Sequence, residues 1–101
     1  LSNPPIYVSK GMAQYVGGVI TEKTHKDITT TTIQLALGSA DQPPTTGWAD
    51  PDIDISVNTY TRQVKMLIDA GQALGTYWLW AKITDNPEII PVRGSQVVVV
   101  D

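Results

Sequence analysis

A chain of 101 residues is one domain's worth, with no room for a second core and enough apolar content to fold without metal or disulfide staples. It has no cysteine, which excludes disulfides, thiolate metal sites and a cysteine nucleophile. The net charge is −3 and the charged residues are scattered singly, so there is no basic stripe for a nucleic-acid backbone; no apolar run nears the ~20 residues that span a bilayer.

In chain order, residues 1–5 ("LSNPP") read as an extended arm ahead of a single domain over residues 6–101. "IYVS" (Ile6 to Ser9) follows two prolines, which suits an edge strand. "AQYVGGVIT" (Ala13 to Thr21) alternates as a second strand, and its Gly17-Gly18 pair predicts either a bulge or the close approach of another backbone. "EKTHKD" (Glu22 to Asp27) reads as a charged hairpin loop. "TTTTIQLAL" (Thr29 to Leu37) then places Ile33, Leu35 and Leu37 on one side and Thr32, Gln34 and Ala36 on the other. From Gly38 to about Asp54 no pattern holds. That stretch carries three of the seven prolines, Trp48 as an anchor against the body, and at most one helical turn near Asp50 to Ile55.

Alternation resumes in "TRQVKMLID" (Thr61 to Asp69), with Val64, Met66 and Ile68 facing in, and "AGQALG" (Ala70 to Gly75) makes a corner. "TYWLWAKIT" (Thr76 to Thr84) and "QVVVV" (Gln96 to Val100) flank the turn "DNPE" and the short run "IIPV". With Asp101 directly after the valines, no tail is expected beyond the last strand. Six or seven short strands at roughly 8–12-residue spacing predict an all-β antiparallel sandwich.

The penultimate strand sharpens this. In "GTYWLWA" (Gly75 to Ala81), Tyr77, Leu79 and Ala81 fall on one face, with the spacing of an immunoglobulin-like tyrosine corner. Leu79 takes the place of the second cysteine of an antibody domain. The expected fold is therefore an immunoglobulin-like β-sandwich of about seven strands, with Tyr77, Leu79 and Ala81 as structural residues. Trp78, Trp80 and Lys82 then point the other way. Either the two rings are covered internally, by the Gly38 to Asp54 loop or a neighbouring strand, or they form an outward docking stripe. Two exposed aromatics represent several kcal/mol of contact energy, which only a partner would justify leaving in water.

Other constellations are weak. His25 is the only histidine, without a cysteine or second histidine to share a metal, and reads as a solvated turn residue. Asp50, Asp52 and Asp54 alternate, which puts three carboxylates on one side of an extended segment. They lack the turn glycine and terminal acid of a calcium loop, and read as a soluble, edge-protecting loop. "YVGGVI" has neither the lysine nor the helix of a phosphate cradle, and no nucleophile elbow is present. A non-enzymatic chain is expected, with no catalytic, cofactor or metal site.

"ITEKTHKDITTTTIQLALG" (Ile20 to Gly38) resembles the hairpin of small immunoglobulin-like β-sandwich domains in tailed-bacteriophage virions. "GTYWLWAKITDNPEIIPVRG" with the closing "VVVV" is similar to the last hairpin of such domains. The two cover somewhat over half of the chain. The resemblance implies a structural virion protein, assembled in the host cytoplasm, that contacts capsid, tail or baseplate proteins and symmetry-related copies of itself. Single-domain length favours an accessory head protein (decoration or minor capsid) over a minor tail or baseplate protein. On this reading the partner-binding residues are Trp78, Trp80 and Lys82, with Pro4, Pro5 and Ile6 in an arm laid across a neighbour. A carbohydrate-binding module stacking sugars on Trp48, Trp78 and Trp80 is the alternative of a different class.

Overall fold

The computed structural model describes residues 5–39, 42–85 and 88–101. Seven strands follow in chain order: β1 (Ile6–Ser9), β2 (Gln14–Thr21), β3 (Thr32–Gly38), β4 (Ile53–Asn58), β5 (Thr61–Ile68), β6 (Gly75–Asp85) and β7 (Glu88–Val100). They form two sheets, β1-β7-β6-β3 and β2-β5-β4, in a sandwich-like all-β arrangement. Every strand pair is antiparallel except β1 and β7, which run parallel from Ile6↔Val97 to Ser9↔Val100.

Period-2 alternation decides the inner faces. Val8, Ile33, Leu35, Leu79 and Val97 from the four-stranded sheet meet Val16, Val64 and Ile68 from the three-stranded one. Tyr77, Ala81, Ile83 and Met66 pack around that cluster. At the corner before β6, the Tyr77 hydroxyl donates to the Ala73 carbonyl at 2.9 Å, so its phenol ties the start of the strand back to the turn. Loss of this bond in Tyr77→Phe should cost about 1 kcal/mol. That would appear as a fall of roughly 5 °C in Tm by circular dichroism; an unchanged Tm would mean the corner contributes nothing.

The final strand is longer than the sequence pattern suggested. "IIPV" and "QVVVV" are one 13-residue strand, hairpinned to β6 from Asp85↔Glu88 to Gly75↔Val99. Pro91 is tolerated inside it because β1 reaches only Val97 to Val100, so the first half of β7 is a sheet edge. Gly94 and Ser95 together oppose Leu79, a bulge that absorbs one residue between Trp78↔Gln96 and Trp80↔Arg93.

Three expectations need correction or completion. Residues 22–31 are not a hairpin loop, since β2 and β3 lie in different sheets; the segment crosses the end of the sandwich and buries Ile28 there. The region that suggested a helical turn contains β4, which pairs with β5 from Ile53↔Lys65 to Asn58↔Thr61. Its alternation escapes notice because it is inverted. Asp54 and Ser56 share the inner face with Val64 and Arg62, while Ile53 and Ile55 share the outer face with Lys65 and Gln63. Between the two readings of the glycine pair, close approach is the one observed. β2 and β5 pair without a register shift, and Gly17 lies against the β5 backbone.

Candidate docking surface

On the outer face of the four-stranded sheet, β6 presents Trp78, Trp80 and Lys82, opposite Gly38, Ala36 and Gln34 of β3. Trp80 is not available to a partner. It is only 6% exposed, and Pro44 and its own indole converge on Gly38. The physical reason is that residues 42–51 run along the free edge of β3 instead of away from it. The Leu35 and Ala49 amides and carbonyls exchange hydrogen bonds at 2.9 and 3.0 Å, which brings the proline-rich segment over the sheet. The expectation of an outward Trp80 therefore fails; its Nε1 is buried without a hydrogen-bond partner among the described residues.

Trp48 anchors the same segment, as its position among prolines suggested. Its indole N–H donates to the Pro44 carbonyl at 2.9 Å, and the Lys82 ammonium lies 5.0 Å from its ring centroid. Lys82 thus serves Trp48 within the domain, a cation–π contact. With Trp80 covered and Trp48 engaged, the three rings do not form one platform for sugars.

Trp78 is half-buried, and the Arg93 guanidinium sits 4.3 Å from its ring centroid. Register adds Gln96 beside Trp78 and carries the face across Val98 to Tyr7 on β1. Tyr7 is 64% exposed. The open part of the face is thus Tyr7, Val98, Gln96, Trp78 and Arg93. Sequence reasoning missed Tyr7 and Arg93; the only signal was parity, because Tyr7 alternates with the inward Ile6 and Val8. Ile6 opens the edge strand expected over Ile6 to Ser9 and does not belong to an arm laid across a neighbour. It pairs with Val97 and packs on the core because its side chain falls on the inner face of β1. Pro5 is exposed beside it, and Pro4 lies outside the described residues.

Several charged groups elsewhere have structural roles. Arg62 is 7% exposed and spends its whole guanidinium: Nε donates to Asp54 Oδ1 at 2.8 Å, Nη2 to Asp54 Oδ2, and Nη1 to the carbonyls of Ile28 and Thr31, both at 2.7 Å. Donation to the Asp54 carboxylate raises its pKa above the ordinary arginine value against the opposing effect of burial. Nothing in "YTRQV" announces this role beyond an arginine at an inward position. The three aspartates do not gather, because Asp52 accepts the Leu67 N–H at 2.7 Å while Asp54 holds Arg62.

In the crossover, Glu22 accepts from the Thr24 hydroxyl and amide, and Asp27 from the Thr29 amide and hydroxyl; these bonds hold both carboxyls below their ordinary pKa. His25 adopts a left-handed φ of 61° and stacks on Tyr60 with centroids 3.9 Å apart. A cavity of about 390 Å³ beside this crossover is walled by Ile20, Ile28, Ile33, Ile83 and Ile90, a lining suited to apolar groups. Comparison with protein-family models, with curated proteins and with solved structures finds no match to this chain.

Proposed function

We propose that this chain is a non-enzymatic, immunoglobulin-like docking domain, an accessory component on the capsid surface of a tailed-bacteriophage virion. The observation that carries the docking role is the open half of the four-stranded face. Tyrosine, tryptophan and arginine are the side chains most enriched among interface hot spots, and Tyr7, Trp78 and Arg93 share this one surface. They stand on paired strands, so little order is lost when a partner covers them.

The immunoglobulin-like assignment draws support from strand order. With the strands lettered A to G in sequence, the sheets are B-E-D and C-F-G, as in that fold, with the first strand set beside the last. The Tyr77 to Ala73 bond supports the same reading, because a tyrosine corner ties its hydroxyl to backbone a few residues upstream. The virion setting rests on the resemblance of the β6–β7 hairpin to phage domains; Ile20 to Gly38, likened to a hairpin of such domains, joins two different sheets and adds no support. A minor tail or baseplate position is the alternative within the same particle.

The test is incorporation. Each truncation of a hot-spot aromatic removes about 2 kcal/mol of binding, roughly 30-fold in affinity. A Tyr7→Ala, Trp78→Ala variant that melts like wild type should be lost from purified particles, as quantified by gel densitometry against the major capsid protein. Undiminished copy number would refute this surface.

A further inference from the structure

The outer face of the three-stranded sheet is apolar where a free sheet would be polar. β5 is its middle strand, and Lys65 stands midway along β5, paired with Gly17 on one side and Ile53 on the other. The flanking rows on the same face are Tyr15 with Leu67, and Val19 with Ile55 across Gln63. Tyr15 is 49% exposed, Val19 61%, Ile55 51% and Leu67 42%. These four leave on the order of 400 Å² of side chain open to water, as much as the largest apolar patch a monomer ordinarily carries. The inverted alternation of β4 contributes Ile55, one of the four. Had Ile53 and Ile55 been placed for the core, they would face inward; the register that brings Asp54 to Arg62 turns them out.

Lys65 decides what fits this face. Its position opposite Gly17 lays the aliphatic stem close to the β2 backbone, and a Cβ built on Gly17 falls 2.8 Å from Lys65 Cγ. Its ammonium has no ion pair among the described residues. A half-buried cation at the centre of an apolar face leaves a favourable place for one carboxylate and an unfavourable place for a second ammonium. Face-to-face packing of two identical copies about a two-fold axis through the patch would set Lys65 against Lys65. The chain is thereby discouraged from stacking on itself.

We propose that this face docks a protein surface presenting a single carboxylate, opposite Lys65, within an apolar surround. It lies on the far side of the sandwich from Tyr7, Trp78 and Arg93, so the domain has two docking faces back to back and bridges two neighbours. The inference does not depend on the virion setting.

A carboxylate can be supplied by the chain itself. Sedimentation velocity at around 100 µM, in the range that detects micromolar association, is run on wild type, on Lys65→Glu and on their equimolar mixture. Wild type and variant should each be monomeric, while the mixture forms a heterodimer with an association constant at least tenfold above either alone. Salt near 0.5 M should weaken it, because the charge pair is screened. Adding Val19→Asp to the wild-type partner should abolish it, and adding Tyr7→Ala should leave it intact, which separates this face from the opposite one. If Lys65→Glu melts early, Lys65→Asp takes its place. A mixture that associates less than tenfold more tightly than the separate proteins, or a heterodimer indifferent to Val19→Asp, overturns the proposal.

Discussion

Replacing Arg62 with methionine is expected to lower the stability of the domain by about 3 kcal/mol, the low end of the cost of breaking a buried ion pair. The low end applies because the Asp54 side chain keeps 29% of its surface in water and can be resolvated in part. Methionine fills much of the volume but supplies no donor. It strands the Ile28 and Thr31 carbonyls at the end of the sandwich, leaving the crossover tied to the turn before β5 by the Glu22 and Ile28 amides, which donate to the Tyr60 and Thr59 carbonyls. For a domain of this size the corresponding fall in Tm is roughly 12–24 °C.

Lysine at the same position should not rescue it, since a single ammonium cannot reproduce four directed bonds to three separate groups. Asp54→Asn should cost less, about 1 kcal/mol, because it keeps an acceptor for Nε. Urea unfolding of the three variants measures these differences. Equal stabilities for wild type and Arg62→Met would show that the crossover does not depend on this guanidinium.

Gly17→Ala is the second large effect, and its neighbour provides the control. A Cβ at Gly17 would fall 2.0 Å from the Val64 carbonyl oxygen and 2.7 Å from Lys65 Cα, so backbone and not a yielding side chain stands in the way. β2 must move away from β5 to admit one methyl group, and its ladder with β5 runs unbroken from Gln14↔Ile68 to Thr21↔Thr61. The expected cost is about 3 kcal/mol, at the upper end of overpacking penalties.

At Gly18, one residue on, a Cβ meets nothing within 4 Å and φ is not positive, so Gly18→Ala should be neutral or stabilising by up to about 0.5 kcal/mol. Urea unfolding separates the two, and hydrogen exchange should show β2 amides losing protection in Gly17→Ala alone. Comparable stabilities for both variants would mean that the strands are not so closely apposed.

The legible part of this fold was legible for one reason. Wherever apolar residues alternate toward the core, as at Ile33, Leu35 and Leu37, at Val64, Met66 and Ile68, or at Tyr77, Leu79 and Ala81, the period-2 pattern picks out the inner face, although Ala36 and Trp80 on the opposite face are buried too. β4 broke that link. "IDISVN" alternates well, but its aliphatic residues face out and its aspartate faces in, so the pattern carried no information about which side was core. The crossover was misread for a related reason. A polar turn between two strands looks the same whether they pair with each other or belong to different sheets, and the buried Arg62 that fastens it comes from 31 residues beyond Thr31.

What the amino-acid sequence determined alone was parity: which residues of a strand must travel together, including the indoles of Trp78 and Trp80 on one side of β6. Parity follows from the chain's own stereochemistry and needs no neighbour. Whether those side chains end in water or under protein was decided only in three dimensions. The hydrogen bonds between Leu35 and Ala49 bring a proline-rich segment across Trp80, while Trp78, two residues earlier, stays half open under Arg93. The apolar outer face around Lys65 has the same origin, because Tyr15, Leu67 and Val19 meet in the β2–β5 register and Ile55 joins them only when β4 docks in one register against β5. Cover and register are properties of pairs of segments distant in sequence, and no single segment encodes them.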